Sequence, residues 1–223
     1  MKKRLIIIEG TDGSGKQTQT ELLYTYLNNR GLDVKKISFP DYKSDSSALV
    51  KMYLKGEFGE EAESVPPKIA STFYALDRYA SYTTTWSSDY NNGTVIISDR
   101  YVGSNLIHQG AKLEGLEQSS FFSWLDGFEH EVLELPRETI TIFLNVPIEY
   151  TQRLMKNRNN KITNEESKDI HEKDKEHLYK AYKTACKVAN LNGWIKVDCV
   201  REDKLRSIED IHNEIVDIVK GVI

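Results

Sequence analysis

The hydrophobic pattern along the chain consists of short apolar runs that alternate with longer stretches of helical periodicity. Apolar runs rich in β-branched residues span Leu5–Glu9, Val34–Phe39, Thr94–Asp99, Thr139–Val146 and Trp194–Asp198. Runs of this length and composition are typical of strands that are buried on both faces. Helical patterns cover Lys16–Arg30, Ser46–Lys55, Lys68–Trp86, Ile148–Arg158, Glu166–Leu191 and Ser207–Lys220. The alternation predicts an α/β fold in which helices cover both faces of a parallel sheet.

The composition fits an ordinary globular chain and excludes several classes of protein. A length of 223 residues suits a single domain over residues 1–223, and a net charge of −4 gives no global basic field that would attract nucleic acid. No apolar run approaches the length needed to span a membrane. The two cysteines, Cys186 and Cys199, lack metal-ligand spacing and form no disulfide framework, which fits a reducing compartment. We therefore expect a cytoplasmic protein.

A glycine-rich stretch, EGTDGSGKQTQ, joins the first predicted strand to the first predicted helix. Gly10 to Lys16 spell G-x-x-x-x-G-K, a pattern that becomes specific when it lies between a strand and a helix. The glycines let consecutive N–H groups point into one concavity, and the start of the helix adds the positive end of its dipole. Lys16 would reach the β- and γ-phosphates of a nucleotide. The predicted nucleoside triphosphate site comprises Gly10, Thr11, Asp12, Gly13, Ser14, Gly15, Lys16, Gln17 and Thr18.

Gln17 stands where such a loop usually carries a serine or threonine whose hydroxyl binds Mg²⁺. Thr18 cannot replace that hydroxyl directly, since consecutive helical residues point about 100° apart. Magnesium must then be held mainly by water, phosphate and carboxylates. Asp12 in the loop and Asp99 at the end of the third predicted strand are the candidate ligands. A helix-capping role is the alternative for Asp99.

Several classes of nucleotide-binding protein share this loop. A switch GTPase would carry a guanine-reading N-K-x-D motif, which the sequence lacks. A motor or remodelling ATPase is normally part of a longer or multidomain chain. A small phosphotransferase needs a second anion-binding pocket that faces the loop and an arginine-rich lid that excludes water. The rest of the sequence offers candidates for both of these features.

Residues that suit a second pocket follow the predicted strands and the break at Pro66-Pro67. They lie in FPDY (Phe39–Tyr42), TFYALDR (Thr72–Arg78), DRYVGSN (Asp99–Asn105) and HQG (His108–Gly110). Arginine binds phosphate or a base carbonyl, an aromatic ring stacks on a base, and an amide recognises its hydrogen-bonding edge. These segments predict a nucleoside monophosphate pocket. The alternatives are that Phe39 and Phe73 belong to the core and that Arg78 and Arg100 form surface ion pairs.

The order of these motifs, together with LNVPIEYTQR and DIHEKD, resembles that of bacterial thymidylate (dTMP) kinases over nearly the whole chain. The resemblance implies a P-loop nucleoside monophosphate kinase fold, with a five-stranded parallel sheet and helices on both faces. It implies transfer of the γ-phosphoryl group from ATP to dTMP, giving ADP and dTDP for dTTP synthesis, with Mg²⁺ as the metal. A homodimer is implied by the resemblance alone.

The same resemblance gives individual residues substrate-binding roles. Phe73 would stack on thymine, Arg78 would bind its O4 atom, and Asn105 with Ser104 would face its N3 edge. The other contacts would come from Phe39 and Pro40 at the 5-methyl group, Arg100 and Tyr42 at the phosphate, Asp12 at the sugar 3′-hydroxyl or the metal, and His108 and Gln109 near the sugar.

A lid segment at about residues 153–169 would complete the site. In some family members the P-loop carries an arginine where this chain has Gly13, and the members that resemble this chain place the catalytic arginine in the lid. Arginines around the moving phosphoryl group suit its loose transition state. The implied catalytic residues are Lys16, Arg100, Arg153 and Arg158.

Two further positions bear on substrate and metal. His108 stands where the family usually has tyrosine or phenylalanine near the sugar 2′ carbon, so discrimination against ribose is open. Glu172 matches a position where some bacterial members bring a carboxylate toward the metal or sugar; a solvated acidic helix face is the alternative.

Two alternative functions remain. One is another nucleoside monophosphate or deoxynucleoside kinase on the same scaffold, and the other is a non-enzymatic nucleotide-binding module.

Overall fold

A sheet of five parallel strands lies at the centre of the computed structural model, which describes residues 2–155 and 175–223. The strands are β1 (Arg4–Glu9), β2 (Val34–Ser38), β3 (Val95–Asp99), β4 (Ile140–Asn145) and β5 (Ile195–Asp198). Their order is β2-β3-β1-β4-β5, and the neighbouring strands pair in parallel. The predicted five-stranded parallel sheet is confirmed.

Helices connect the strands and pack on the sheet. Within the described ranges they are α1 (Lys16–Asn28), α2 (Ala48–Leu54), α3 (Pro67–Ser81), α4 (Ser87–Asn92), α5 (Val102–His108), α6 (Gly115–Gly127), α7 (Ile148–Met155), α8 (Lys175–Leu191) and α9 (Ile208–Lys220). π-helical turns follow α3 at Tyr82–Trp86 and α6 at Phe128–Val132. The predicted helices around Arg158 and from Glu166 run into residues 156–174, outside the described residues. No helix of the described ranges is both long and apolar enough to cross a membrane.

The first strand shows why the sheet needs helices on both faces. Leu5, Ile6, Ile7 and Ile8 are all 0% exposed. Alternate residues of a strand point to opposite faces. Ile6 and Ile8 therefore pack in the apolar layer that includes residues of α1 and α9, while Leu5 and Ile7 pack in a separate layer with Trp86 and residues of α6. Helices on both faces are thus confirmed.

Some elements form although the local sequence favours them only weakly. Helix α6 is rich in serine and aromatic residues, which are poor helix formers. It forms because Phe121 and Leu125 bury almost completely in the core. A small antiparallel hairpin, β6 (Val200–Arg201) and β7 (Lys204–Leu205), follows β5. Its turn residues have positive φ angles of 48° and 56°, as a tight hairpin turn requires. The sequence analysis predicted neither element.

The candidate site lies at the carboxyl edge of the sheet. β1 pairs with β3 so that Ile8 lies opposite Asp99, and β2 pairs with β3 so that Ser38 lies opposite the same residue. The chain therefore leaves these three neighbouring strands at one edge. The loop after β1, Phe39 after β2 and Arg100 after β3 converge there, as ligand-binding residues do in open parallel sheets.

Candidate active site

The loop from Gly10 to Lys16 has a backbone that only glycine allows at several points. Gly10, Gly13 and Gly15 have φ angles of 157°, 79° and 86°. A Cβ atom on Gly10 would lie 2.5 Å from the Ser14 hydroxyl oxygen. Gly15 is the residue before α1, so the loop leads directly into the N–H groups of its first turn. This geometry suits the binding of phosphate by backbone N–H groups.

Lys16 is a buried cation at the start of α1. Its side chain is 6% exposed, and Nζ donates a hydrogen bond of 2.7 Å to the carbonyl of Thr11. Burial and the nearby Arg100 together lower the pKa of Lys16 to about 7, although Asp12 and Asp99 act in the opposite direction. A phosphate bound in the loop would stabilise the charged form of this amine.

Arg100 points from the end of β3 toward the loop. Its φ angle of 71° is unusual for a residue other than glycine. The guanidinium donates to the carboxylate of Asp12, and Nη1 lies 3.3 Å from both Ser104 Oγ and His108 Nε2. Burial opposes its charge, but Asp12, Asp99 and Glu9 outweigh burial and raise the pKa of Arg100. Arg100 therefore links the P-loop to the residues of α5 through a partly buried ion pair with Asp12 and through its contacts with Ser104 and His108.

Glu9 is a functional candidate that the sequence analysis missed. The side chain is 0% exposed, accepts a 2.9 Å hydrogen bond from the Tyr101 N–H, and accepts the Ser104 hydroxyl at 2.9 Å. Burial raises the pKa of Glu9, while Arg100 lowers it. An acidic residue within a buried strand was the available signal, since such groups are rarely buried without partners. Glu9 ties the end of β1 to the start of α5.

A cavity lies between the loop, α3 and α5. It is lined by Asp12, Phe39, Pro40, Tyr42, Leu54, Tyr74, Arg78, Arg100, Tyr101, Ser104, Asn105, His108 and Gln109. This set contains every residue predicted to bind the second substrate except Phe73. The structure therefore brings together residues that are widely separated in the sequence, and it does so directly beside the P-loop.

Phe73 does not line this cavity, and the aromatic residue that does is Tyr74. Phe73 packs instead against Tyr53 and Phe58, with ring centroids 6.4 and 5.5 Å away. Residues five apart on a helix point roughly 140° from each other, whereas residues four apart share a face. Tyr74 therefore shares the face of Arg78, whereas Phe73 points away from it.

Arg78 is fully buried and paired with Glu129, which the sequence analysis did not single out. Nε donates to Glu129 Oε2 at 2.6 Å, and Nη2 donates to the second oxygen of the same carboxylate. Asn105 donates to this carboxylate at 3.3 Å and to the Ser71 carbonyl at 3.2 Å. Arg78 is 1% exposed, so a surface ion pair is excluded. Glu129 thus orients both polar side chains that were predicted to recognise the base.

Asp77 performs a similar structural task for the loop after β2. It is 0% exposed and accepts hydrogen bonds from the Asp41 N–H at 2.9 Å and the Ser46 hydroxyl at 2.5 Å. Burial raises the pKa of Asp77, which these hydrogen bonds counteract. These contacts fasten the loop that carries Tyr42 to α3. These contacts could not be predicted from the local sequence, because Asp77 lies 31 and 36 residues from its partners.

A larger cavity of about 710 Å³ opens at the opposite edge of the sheet, against Thr139 and Ile195 near the starts of β4 and β5. It contains none of the predicted site residues. The cavity beside the P-loop is therefore the candidate active site, because it is lined by Asp12 of the loop, the buried Arg78 and the partly buried Arg100.

Comparison with known proteins agrees with this geometry. The family model described as thymidylate kinase matches residues 8–215. The chain belongs to the thymidylate kinase family. A thymidylate kinase of Plasmodium falciparum is 29% identical over 215 residues, covering 96% of this chain and 89% of the relative. One from Mycobacterium tuberculosis H37Rv is 34% identical over 146 residues, covering 65% of this chain and 67% of the relative.

Solved structures give the same fold. A thymidylate kinase structure from Candida albicans superposes with a TM-score of 0.72 at 22% identity, covering 98% of this chain and 92% of that one. A thymidylate kinase structure from Ehrlichia chaffeensis has a TM-score of 0.67 at 17% identity, covering 97% and 98%. The nucleoside monophosphate kinase fold is thereby confirmed. Since the relatives come from eukaryotes, bacteria and archaea, they support the family rather than a bacterial subtype.

The site of this thymidylate kinase family member offers oxygen atoms that fit a magnesium ion. Asp99 Oδ1 and Ser14 Oγ are buried and make no hydrogen bond within the described residues. Oxygen ligands are those that Mg²⁺ prefers, and it usually keeps several waters and substrate phosphates. Gln17, at the usual position of the magnesium-binding hydroxyl, and Thr18 beside it are both exposed. The described residues contain no group of three or more His, Cys, Asp or Glu side chains that could hold a metal.

The structure describes the predicted lid segment only at its beginning. Arg153 is exposed on α7, with its guanidinium 5.5 Å from the centre of the Tyr150 ring. Arg158, Glu172 and the rest of the predicted lid lie outside the described residues.

Helix α7 packs directly on the P-loop, because a Cβ atom on Gly13 would lie 2.8 Å from Met155 Cγ. No side chain fits at Gly13, so the P-loop of this chain has no room for an arginine there.

The buried ion pair gives a prediction about stability. Glu129→Ala leaves the Arg78 guanidinium buried without its carboxylate, so we expect the free energy of unfolding to fall by about 3–5 kcal/mol. Asp126→Ala is the matched control, since its ion pair with Arg137 is 51% and 58% exposed. The control should lose less than about 1 kcal/mol. Urea denaturation measures both variants, and similar losses would show that burial of the pair is unimportant.

Proposed function

We propose that this chain catalyses the transfer of the γ-phosphoryl group of ATP to dTMP, giving ADP and dTDP. Membership of the thymidylate kinase family supports this reaction, and so does the presence of two anion-binding regions side by side. The P-loop N–H groups and Lys16 bind the β- and γ-phosphates of ATP. The adjacent cavity binds dTMP. The chain is thus an enzyme of nucleotide metabolism that acts within a single domain.

The observation that carries the proposal is the position of Arg100. Its guanidinium contacts Asp12 of the P-loop on one side and Ser104 and His108 of the cavity on the other. A cation at this boundary is suited to hold the phosphate of dTMP in line with the γ-phosphoryl group. In-line positioning and charge stabilisation account for most of the catalysis of phosphoryl transfer. Tyr42 lines the same end of the cavity and assists in binding this phosphate.

The opposite end of the cavity binds the base. Tyr74 provides an aromatic face for thymine, in place of the predicted Phe73. Arg78 and Asn105 are oriented by Glu129 and supply hydrogen-bond donors at the base edge. The remaining contacts come from Phe39 and Pro40 beside the 5-methyl group, Ser104 and Gln109 toward the base and sugar, and Asp12 and His108 toward the sugar.

Further charged side chains are proposed to surround the γ-phosphoryl group as it is transferred. Arg153 and Arg158 of the lid stabilise negative charge as the phosphoryl group moves, and closure of the lid excludes water that would otherwise hydrolyse ATP. Asp99, Asp12 and Glu172 would hold Mg²⁺, which would neutralise negative charge on the phosphates. The buried, unpartnered Asp99 Oδ1 supports this assignment.

We further propose a cytoplasmic homodimer that binds no nucleic acid. The net charge of −4 fits the absence of a nucleic-acid partner. Cys186 and Cys199, both within the described residues, are free thiols, as expected in a reducing compartment. Helix α3 exposes Ile69, Leu76 and Tyr79, each more than 40% exposed, and such apolar residues suit a contact between two copies of the chain.

A nucleotide panel tests the proposed function. We expect ADP release, measured in a coupled assay, to be far faster with dTMP than with dUMP, UMP, CMP or GMP. Lys16→Met removes a buried positive charge from the phosphate path and should lower kcat at least about a hundredfold. Lys220→Met, at an exposed position on α9, is the control and should retain activity. Equal turnover of UMP and dTMP would instead support another nucleoside monophosphate kinase.

The corrected aromatic assignment gives a second prediction. Tyr74→Ala should raise the KM for dTMP about tenfold to hundredfold, because base stacking on an aromatic ring is worth about 1–3 kcal/mol. The KM for ATP should change little. Phe73→Leu is the comparison, since Phe73 packs outside the cavity and should leave the KM for dTMP near wild type. A larger KM effect at Phe73 than at Tyr74 would restore the original assignment.

A further inference from the structure

His108 lies at the carboxyl end of α5 and lines the cavity beside Arg100. Its Nε2 atom is 3.3 Å from Nη1 of the guanidinium. The ring of His177, from α8, stacks on the imidazole with centroids 6.3 Å apart and planes inclined by 25°. His177 itself is 0% exposed. The imidazole is therefore held by its surroundings while it contacts the cation that faces the acceptor substrate.

The contact with Arg100 determines which form of the imidazole is present. A guanidinium has five N–H donors and no acceptor, so the Nε2 atom of His108 must supply a lone pair. Burial lowers the pKa of His108 to about 3; the carboxylate of Asp12 opposes this shift, while Arg100, His177 and Lys16 add to it. The ring is thus neutral throughout the physiological range. A neutral ring in this orientation accepts a hydrogen bond and adds no charge to the site.

The orientation of Arg100 depends on acceptors on two sides. Asp12 attracts one arm of the guanidinium toward the P-loop, whereas Nη1 is shared between Ser104 Oγ and His108 Nε2. Ser104 is itself committed to Glu9, to which its hydroxyl donates at 2.9 Å. Without the acceptor on His108, Nη1 would keep its contact with Ser104 Oγ, which opposes the strong ion pair between the guanidinium and Asp12. The guanidinium could then rotate about that ion pair, away from the cavity.

We propose that His108 is a positioning residue that accepts a hydrogen bond from Arg100 Nη1 and thereby fixes the guanidinium at the phosphate of the acceptor nucleotide. This inference rests on the phosphoryl-transfer function proposed above. It gives His108 a task that is independent of the sugar, whereas the resemblance suggested screening of the 2′ position. The two roles predict different kinetics, because one acts on Arg100 and the other on the choice between deoxyribose and ribose.

The test compares two replacements at position 108. His108→Phe keeps a ring of similar bulk but removes the acceptor, and His108→Gln restores a neutral acceptor near the position of Nε2. We expect the phenylalanine variant to lower kcat with dTMP about tenfold to hundredfold, since misplacement by about 1 Å can have such an effect. The KM for ATP should stay within about twofold. The glutamine variant should recover most of the lost kcat, and His212→Phe, far from the site on α9, should match wild type.

A double-mutant cycle shows whether His108 acts through Arg100. In an Arg100→Lys background, His108→Phe should change kcat by less than about twofold, because its partner has already been altered. Should the phenylalanine variant fail to fold, as judged by thermal unfolding, His108→Leu takes its place, since leucine also lacks an acceptor.

Several outcomes would overturn the proposal. These are an unchanged kcat in the phenylalanine variant, a glutamine variant as impaired as the phenylalanine one, or full additivity with Arg100→Lys. A change only in the ratio of dTMP to its ribose counterpart would favour sugar screening instead. A wild-type enzyme that does not phosphorylate dTMP would contradict the proposed function itself, which distinguishes that failure from failure of the positioning role.

Discussion

The site depends on two basic side chains at one edge of the sheet, of which Lys16 is buried and Arg100 partly buried. Arg100 disfavours the charged form of Lys16, while nearby carboxylates favour the charged form of both side chains. Asp12, Asp99 and Glu9 supply those carboxylates. A cluster of this kind is costly to bury unless its members are paired, and the phosphates of a nucleotide add further negative charge in the right place. On the proposed function, bound phosphates would therefore add to the negative charge that Asp12, Asp99 and Glu9 already supply.

The fold accounts for how these charges meet. β1 and β3 are neighbours in the sheet, so the P-loop after one and Arg100 after the other leave at the same edge. Helix α5 begins two residues after Arg100 and carries Ser104 and His108, which contact its guanidinium. The side chains proposed to bind the base are organised by a buried ion pair, Arg78 with Glu129. Rigid backbone elements and paired charges therefore position the side chains that line the cavity.

Much of this arrangement could be predicted from the sequence, because its signals are local. The five apolar runs, the G-x-x-x-x-G-K loop and Arg100 at a strand end depend on residues that are adjacent in the chain. The structure places Tyr74 in the cavity, and not the predicted Phe73, because Tyr74 lies four residues before Arg78 on α3. Helical spacing was not applied to this stretch of the sequence. Glu129 and Asp77 could not be found, since their partners lie 51 and at least 31 residues away and nothing in the local pattern distinguishes them from exposed acids. Helix α6 could not be predicted either, because the burial of its apolar side chains outweighs its poor helix propensity.

Proton uptake on nucleotide binding tests the central claim most directly, because it reports the charge of the buried lysine. Burial lowers the pKa of Lys16 to about 7, so at pH 8 the amine is mostly neutral before phosphate arrives. Calorimetry of ATP–Mg²⁺ binding at pH 8, in buffers of different ionisation enthalpy, should show uptake of about one proton per nucleotide. The uptake should decrease toward pH 6 and be absent in Lys16→Met. Binding to the wild-type protein at pH 8 without proton uptake would show that Lys16 is already charged, and would contradict the account.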